Sequence, residues 1–572
     1  MPSTPESTRH GRTVVLFAGL VTAAYALSLF LMPRDGFWSG DSGCKFLQLQ
    51  GILRTGEFSI AWPGQRLDPE FAFVPLRKPF GHVVDGKLYA QYSPVFALAS
   101  AIPYRLVGFG GLFLLPFLAG LATLPAVWRI AAHLSERSLA PFAAVLVTAF
   151  ATPHWFYSLT FWEMTPAVCL ATWSVCVLLP ALARPSARRV AVSGALAGAS
   201  VYFRDELYLF AFASMVAIVV RGTRPSRSLL VFGGALATAL VPLWIFQWVA
   251  LGNPLGHHFS SVSSGGFLST PHWGDRAAAF RNLFVDGHEG LAVSALAAAP
   301  ALLAFVTFPR LSVPAFRRAV PIAAALGVAT GAFFLRNHLV AREPLLHLLE
   351  TNGLFASVPF AMIGFVRLRR DTKGQADGER ERAHVALWIV LLVYTGAYAI
   401  LAPLANTVGI HWGCRFLLAA YPLLGILAAV SVAEWWGAWP APRRWALVPV
   451  GGALVLSVVL QAHSLRLLHH RQALSGRFNR AVAAHTDDVV ITTGWAIPQE
   501  LSQVFYDRLV FLATEQEPMD RLVAILRRHG YTSALRVDWI LGDESPPANG
   551  EFIDEPWGFP SFVLRPVRWG GS

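Results

Sequence analysis

Apolar runs of bilayer length recur along this chain, and nothing else in it restricts the fold so strongly. Val14 to Met32 and Leu229 to Val249 carry no charged residue at all. A membrane-spanning helix needs about 20 predominantly apolar residues. Inside hydrocarbon the backbone finds no water, so each such run has to close its hydrogen bonds within itself as a helix. With 55% hydrophobic and 14% charged residues in 572, the chain carries more apolar surface than one soluble fold can hide. The expected class is an all-α polytopic membrane protein.

Charge sets the sides. The net charge of +12 comes from Arg clusters between spans, where orientation needs them. It does not mark a nucleic-acid binder, and no basic motif with interleaved aromatics is present. Arg9 and Arg12 place the N-terminus in the cytoplasm, ahead of an uncleaved first span. A long outer loop follows at 33–93, with Trp62 as an interface anchor. The stretch Pro94 to Val107 is too short to span and reads as interfacial or re-entrant. Further spans are expected at Leu112–His133, Ala140–Thr152, Pro166–Leu182, Leu229–Val249, Leu291–Phe308, Val320–Phe334, Gly353–Val366, Leu387–Leu404, Phe416–Ala433 and Trp445–Leu460. "ARPSARR" and "RGTRPSR" bracket two short apolar halves joined by "YFRDEL". One continuous helix would sink three charges into the bilayer at about 2.5–3.5 kcal/mol each, so two short spans are expected, with Arg204, Asp205 and Glu206 outside. The polar stretch from Arg367 to Arg382 reads as a mobile cytoplasmic loop. The total is about thirteen crossings, which leaves the C-terminus outside.

Near Arg466 the composition changes. "DDVVITT", "RLVFLA" and "SALRVDWI" alternate and read as strands. The expected organisation is a membrane part over 1–465 and a small extracytoplasmic α/β domain over 466–572. That domain has no glycine-rich phosphate loop, so no nucleotide is expected.

The expected sides gather a few polar residues outside. Asp41, Lys45 and Gln48 follow i, i+4, i+7 spacing and share one helix face. A surface ion pair accounts for the spacing, and so does a reactive carboxylate at the mouth of the first span. Arg415 in "HWGCRFLLAAYPLL" is either a snorkelling Arg or a clamp for phosphate oxygens. Glu163 in "FWEMTP" lies among Trp155, Tyr157 and Trp162, either in an aromatic belt or in an acceptor site. His257, His258, His272, His288, His338 and His347 fall outside as well, without a metal-ligand spacing, so no metal site is assigned. Cys44 and Cys414 are both expected outside and allow a disulfide; Cys169 and Cys176 read as packing.

In order and expected sidedness, "SGDSGCKFLQ", "YAQYSPVFALASAIPY", "PHWFYSLTFWEMTPA", "GALAGASVYFRDELYL" and "HWGCRFLLAAYP" together resemble the GT-C superfamily of membrane glycosyltransferases. Protein O-mannosyltransferases and lipid A aminoarabinose transferases are the members most alike. The resemblance implies a multi-pass protein of the bacterial inner membrane with its active site on the extracytoplasmic side. It implies a polyprenyl-phosphate-linked sugar as donor, and a glycan, lipid or protein as acceptor, with no cofactor required beyond an optional divalent metal. Asp41 becomes the catalytic base, Glu163 an acceptor-side or electrostatic acid, and Arg415, Lys45, Arg204 and Tyr92 the lipid-phosphate contacts. Two departures stand out. Ser42 follows Asp41 where some relatives carry a second acid, and Gln91-Tyr92-Ser93-Pro94 replaces a segment with Lys ahead of the proline, leaving Lys45, Lys87 or Arg415 to supply the charge. A flippase for lipid-linked sugars, or a non-catalytic partner in glycan assembly, are the competing function classes.

Overall fold

A computed structural model describes residues 5–256, 273–284, 353–365, 375–401, 411–438, 448–540, 550–553 and 561–569. The protein is a helical, multi-pass membrane protein with a small α/β unit near its C-terminus. Among the described residues, six helical segments are long and apolar enough to cross a membrane, and three shorter apolar helices accompany them. The spans expected at Leu291–Phe308 and Val320–Phe334 lie outside the described residues, as do all six histidines considered for a metal.

The helices in chain order are α1 (Pro5–Leu31), α2 (Gly40–Thr55), α3 (Val95–Val107), α4 (Leu114–Leu134), α5 (Leu139–Phe150), α6 (Met164–Ala183), α7 (Ala187–Val201), α8 (Leu207–Arg221), α9 (Pro225–Leu251), α10 (Trp273–Phe284), α11 (Gln375–Leu401), α12 (Ala420–Ala438), α13 (Val448–Ala484) and α14 (Gln516–Arg528). The "YFRDEL" segment is a tight turn between α7 and α8, as the charge argument required. α7 carries Gly194 and Gly198 four residues apart. A methyl at Gly194 would fall 2.3 Å from the Phe232 carbonyl, and one at Gly198 would fall 2.8 Å from Ala239 Cβ. The missing side chains let α9 approach closely, the way small residues drive helix pairing in lipid. On the outward faces of α1 and α9, Leu16, Leu20, Phe30, Leu230 and Ile245 stay exposed, as lipid-facing residues should.

Three expectations need correction. Gly353–Val366 is not one helix: a single turn at Leu354–Ser357 gives way to a 3-10 segment at Pro359–Phe365, because Pro359 cannot continue the α-helical hydrogen bonding. The polar stretch ahead of α11 is not all loop, since α11 begins at Gln375. Trp62 is no membrane anchor. It is 3% exposed, and its indole N–H donates to the Val510 carbonyl at 2.9 Å.

That last bond shows how the long first loop is used. Residues 33–93 form α2, a short 3-10 turn and the hairpin β1 (Gly81–Val84)/β2 (Lys87–Ala90). Asp85 and Gly86 turn the hairpin with φ of 48° and 71°, the left-handed pair that a two-residue hairpin turn demands. The C-terminal sheet comprises β3 (Val489–Thr492), β4 (Leu509–Leu512), β5 (Ser533–Ile540), β6 (Glu551–Ile553) and β7 (Ser561–Arg568), in the order β4-β3-β5-β7-β6. β3 runs parallel to β4 and β5, while β7 runs antiparallel to β5 and β6. Leu47, Ile60, Trp62 and Leu88 from the first loop share one apolar core with Val490, Phe505, Val510 and Leu535 from the sheet unit. α13 runs unbroken through Arg466 and joins that unit to the membrane bundle.

α2 is therefore seated on the sheet unit. At Gly43 an added methyl would fall 1.9 Å from the Gln499 carbonyl, a backbone atom that cannot rotate away. Gly43→Ala is expected to destabilise the protein by about 1–3 kcal/mol through overpacking. Gly19→Ala, which meets nothing within 4 Å, serves as the control. Equal thermal midpoints for the two variants would show that α2 is not held by this contact.

Candidate active site

α2 presents its first turn to the interior of the protein. Asp41 lies in that turn, where the unpaired backbone N–H groups of a helix start favour an anion. Lys45 follows one turn later. Lys45 is 1% exposed and Glu163 3%, so both are buried charges, which survive only when paired. Glu163, just before α6, lies between two cations: Lys45 Nζ forms an ion pair with Oε2 at 3.1 Å, and Arg204 Nη1 donates to Oε1 at 3.0 Å. Arg204 also donates through Nε to Glu206 at 2.7 Å. The tight turn after α7 places both residues there.

Asp41 does not pair with Lys45 side chain to side chain. Lys45 reaches back to the Asp41 backbone carbonyl at 3.3 Å, and the Asp41 carboxylate instead accepts from Arg415 Nη1 at 3.1 Å. Aromatic rings tie the two ion pairs together. Lys45 Nζ sits 3.6 Å from the Tyr92 ring centroid, and the Trp162 ring lies 5.6 Å from Lys45 and 5.2 Å from the Arg415 guanidinium. Cation–ring contacts gain strength when desolvated, to about 2 kcal/mol or more. Tyr157 and Trp162 are fully buried, so these two aromatics are walls of the site and not part of a membrane-interface belt.

Arg415 is held from several helices. Gly413 before it takes φ 58°, and any side chain there would meet Pro153 and the Tyr421 hydroxyl. The Tyr421 hydroxyl accepts from the Cys414 N–H at 2.8 Å, Tyr157 donates to the Trp412 carbonyl at 2.9 Å, and Tyr394 donates to the Phe416 carbonyl at 2.7 Å. Backbone held at this many points fixes the guanidinium without cost at the moment of reaction.

Electrostatics follow from the pairing. Burial alone would raise the pKa of Asp41. Arg415 first, then Lys45, a hydrogen bond with Tyr92, and Arg204 together outweigh it and hold the carboxyl below its ordinary value. Burial, and then the Asp41 charge, push the Tyr92 hydroxyl well up, so it stays protonated as a donor. Charge in the cluster balances, with Lys45, Arg204 and Arg415 against Asp41, Glu163 and Glu206.

The fold thus brings together all six residues singled out from the sequence: Asp41, Lys45, Tyr92, Glu163, Arg204 and Arg415. Lys87 is elsewhere, paired on the surface with Glu57 at 2.8 Å. Cys44 and Cys414 are both buried free thiols, so the disulfide their positions allowed is not formed. Among the described residues no group of three or more His, Cys, Asp and Glu could hold a metal ion. Sequence reasoning missed the supporting pair Arg471–Glu500, at 2.6 Å and almost fully buried. It joins α13 to the short helix Ile497–Glu500 beside the start of α2. Burial, only partly offset by Arg471, raises the pKa of Glu500. The available signal was a lone Arg in the apolar face of a long helix.

No protein-family model matches the sequence, and no curated protein does. Solved structures do match. The structure of ArnT from Cupriavidus metallidurans bound to undecaprenyl phosphate is 13% identical, covering 96% of this chain and 97% of that one with a TM-score of 0.51. The apo state of the same protein matches at 12% identity, 97% and 98% coverage and a TM-score of 0.43. The Archaeoglobus fulgidus oligosaccharyltransferase tethered with an acceptor peptide matches at 11% identity, 91% and 68% coverage and a TM-score of 0.46. The first of these likenesses shows the fold, which this chain shares with that ArnT structure over nearly its whole length.

Proposed function

We propose that this chain, a GT-C-fold membrane protein, transfers a sugar from a polyprenyl-phosphate donor to an acceptor hydroxyl on the extracytoplasmic face of a cell membrane. The carrying observation is the Asp41–Arg415 pair at 3.1 Å, a carboxylate and a guanidinium brought face to face beside a second, buried cluster of two cations. A TM-score of 0.51 to a protein bound to undecaprenyl phosphate supports the donor class.

The reaction needs a base and a positive cradle. The acceptor hydroxyl attacks the anomeric carbon, its proton passes to the Asp41 carboxylate, and the bond from that carbon to the phosphate oxygen breaks. The lipid phosphate leaves carrying the electron pair as a stable anion, so no acid need protonate it. One displacement inverts the anomeric centre, unlike the paired-carboxylate route of retaining hydrolases. Arg415 stabilises the leaving charge with its planar fork, and Lys45 and Arg204 extend the positive field. Glu163 holds those two cations in place.

Charge balance gives the site a sequence of events. Before substrate binds, Arg415 depresses Asp41 and makes it a poor base. A donor phosphate that takes the Nη1 donor of Arg415 displaces that carboxylate. Once it does, Asp41 loses its strongest cation and becomes more basic, nearer the value a general base wants. Binding the donor arms the base.

This coupling is testable by pH. In free protein the depressed carboxyl stays ionised, so the acid limb of kcat/KM, which reports the free enzyme, falls below the ordinary carboxylate range. The acid limb of kcat, which reports the substrate complex, lies at higher pH. Coincident limbs would rule out release of Asp41 by the donor. The same depression makes the ion pair a source of stability above the unfolded pKa that is lost as pH drops through the lowered one.

A further inference from the structure

Arg471 and Glu500 take no part in the chemistry above, yet they are charges buried beside it. Arg471 Nη2 donates to Glu500 Oε1 at 2.6 Å, and the two side chains are 3% and 8% exposed. An apolar pair of similar volume would stabilise the fold as well or better, because it avoids the desolvation of two charges. What the ion pair adds is a directed bond, and its two ends show what that bond directs.

Glu500 closes the short helix Ile497–Glu500, which lies against the first turn of α2. A methyl at Gly40 would fall 3.1 Å from Gln499 Cβ and 3.7 Å from Glu500 Oε1, and one at Gly43 would strike the Gln499 carbonyl. Asp41 stands between these two glycines. Ser39, at the N-cap of α2, makes no capping bond with its side chain, so the start of α2 is held by this packing from outside the helix. Asn479 of α13 adds a second tie by donating to the Glu500 carbonyl at 2.8 Å.

The other end of the pair is on α13, and α13 also holds the segment that carries Arg415. Gln461, fully buried, accepts from the Trp412 indole N–H at 3.0 Å and donates to the Ser357 carbonyl at 2.8 Å. Trp412 lies three residues before Arg415. Gln461 and Arg471 are ten residues apart on one unbroken helix, about 15 Å at the rise of an α-helix. A single rigid element therefore fixes the Arg415 segment at one point and, through Glu500, the turn that carries Asp41 at another.

We propose that Arg471 and Glu500 are positioning residues for Asp41: with α13 as the fixed rod, their bond sets the first turn of α2 so that the Asp41 carboxylate meets Arg415. The proposal rests on the transferase reading and adds that the C-terminal unit shapes the reacting pair without touching substrate.

The test uses the full chain in nanodiscs and bare undecaprenyl phosphate as the probe. Asp41 and the phosphate compete for Arg415, so Asp41→Asn is expected to tighten binding about tenfold, the release of one charge-assisted hydrogen bond. That factor measures how well Asp41 is seated on Arg415. In Arg471→Met/Glu500→Leu, which keeps the volume and drops the bond, the factor is expected to fall to about twofold while the thermal midpoint stays near that of wild type. Glu500→Gln, which still accepts from Arg471, is expected to keep most of it. A role in stability alone moves the midpoint and leaves the factor unchanged, and that result overturns the proposal. So does a factor that falls as far in Glu500→Gln as in the apolar pair. If the apolar pair does not fold, Arg471→Met alone takes its place under the same criteria, since Glu500 can then shed its charge by taking a proton. A wild type that does not bind undecaprenyl phosphate, or an Asp41→Asn variant that binds it no more tightly, overturns the reading of Arg415 as the phosphate cation, a failure seen before position 471 or 500 is changed.

Discussion

Asp41→Asn is expected to leave a protein that purifies like wild type and to lower turnover by about 10³-fold, within the range that general-base catalysis contributes. The substitution keeps the shape of the side chain and one oxygen to accept from Arg415. It removes the charge that takes the acceptor's proton. Donor binding is expected to persist and even to tighten, because Arg415 no longer has a carboxylate to release. The measurement is undecaprenyl phosphate released from a glycosyl lipid on addition of acceptor, alongside the affinity for bare undecaprenyl phosphate. Turnover within tenfold of wild type would remove Asp41 from the reaction. A matching loss of lipid affinity would mean that it organises the site and does not act on the proton.

Glu163→Ala has the largest expected effect on stability. Glu163 separates Lys45 from Arg204 and forms an ion pair with each. Without it two buried cations are left facing each other across the gap, with Glu206 on the far side of Arg204 and Asp41 already paired with Arg415. Removing one member of a buried ion cluster costs about 3–5 kcal/mol, because the remaining charge has no water to return to. Glu57→Ala, which breaks the exposed pair with Lys87, should leave stability unchanged, as surface pairs of this kind do. Thermal unfolding in a single detergent compares the two. Equal midpoints would mean that water reaches Lys45 and Arg204 freely, against their near-complete burial.

Much of the fold was legible because its signals are local. Span-length apolar runs, Arg at their ends and three alternating segments near the C-terminus each report on the residues that carry them. The hairpin at Asp85-Gly86 was not read from the sequence, where 33–93 appeared only as a long loop. The boundary near Arg466 was less informative. Composition changes there, but α13 continues, since a helix needs no apolar surface once it leaves lipid and packs on another unit.

The candidate site was legible by side and not by pairing. Side assignment placed Asp41, Glu163, Arg204 and Arg415 in one compartment, and spacing suggested that Lys45 answers Asp41. The structure gives Asp41 to Arg415, 374 positions away, and Lys45 to Glu163. Helical spacing reports which residues share a face, whereas the charge that approaches that face from another helix is a matter of packing. The Arg471–Glu500 pair was out of reach for the same reason: a single polar residue on a buried helix face shows that something polar must meet it, but not what.

By itself, then, the sequence determined that the chain crosses a membrane many times and where strands replace spans, because solvation and backbone hydrogen bonding act on contiguous segments. Tertiary structure alone decided that the first loop would be seated on the C-terminal sheet and that Asp41 would meet a guanidinium in place of its helical neighbour. Those outcomes depend on close packing between distant segments, at Gly43 and Gly413 above all, where the absence of one methyl group permits a contact that no local pattern encodes.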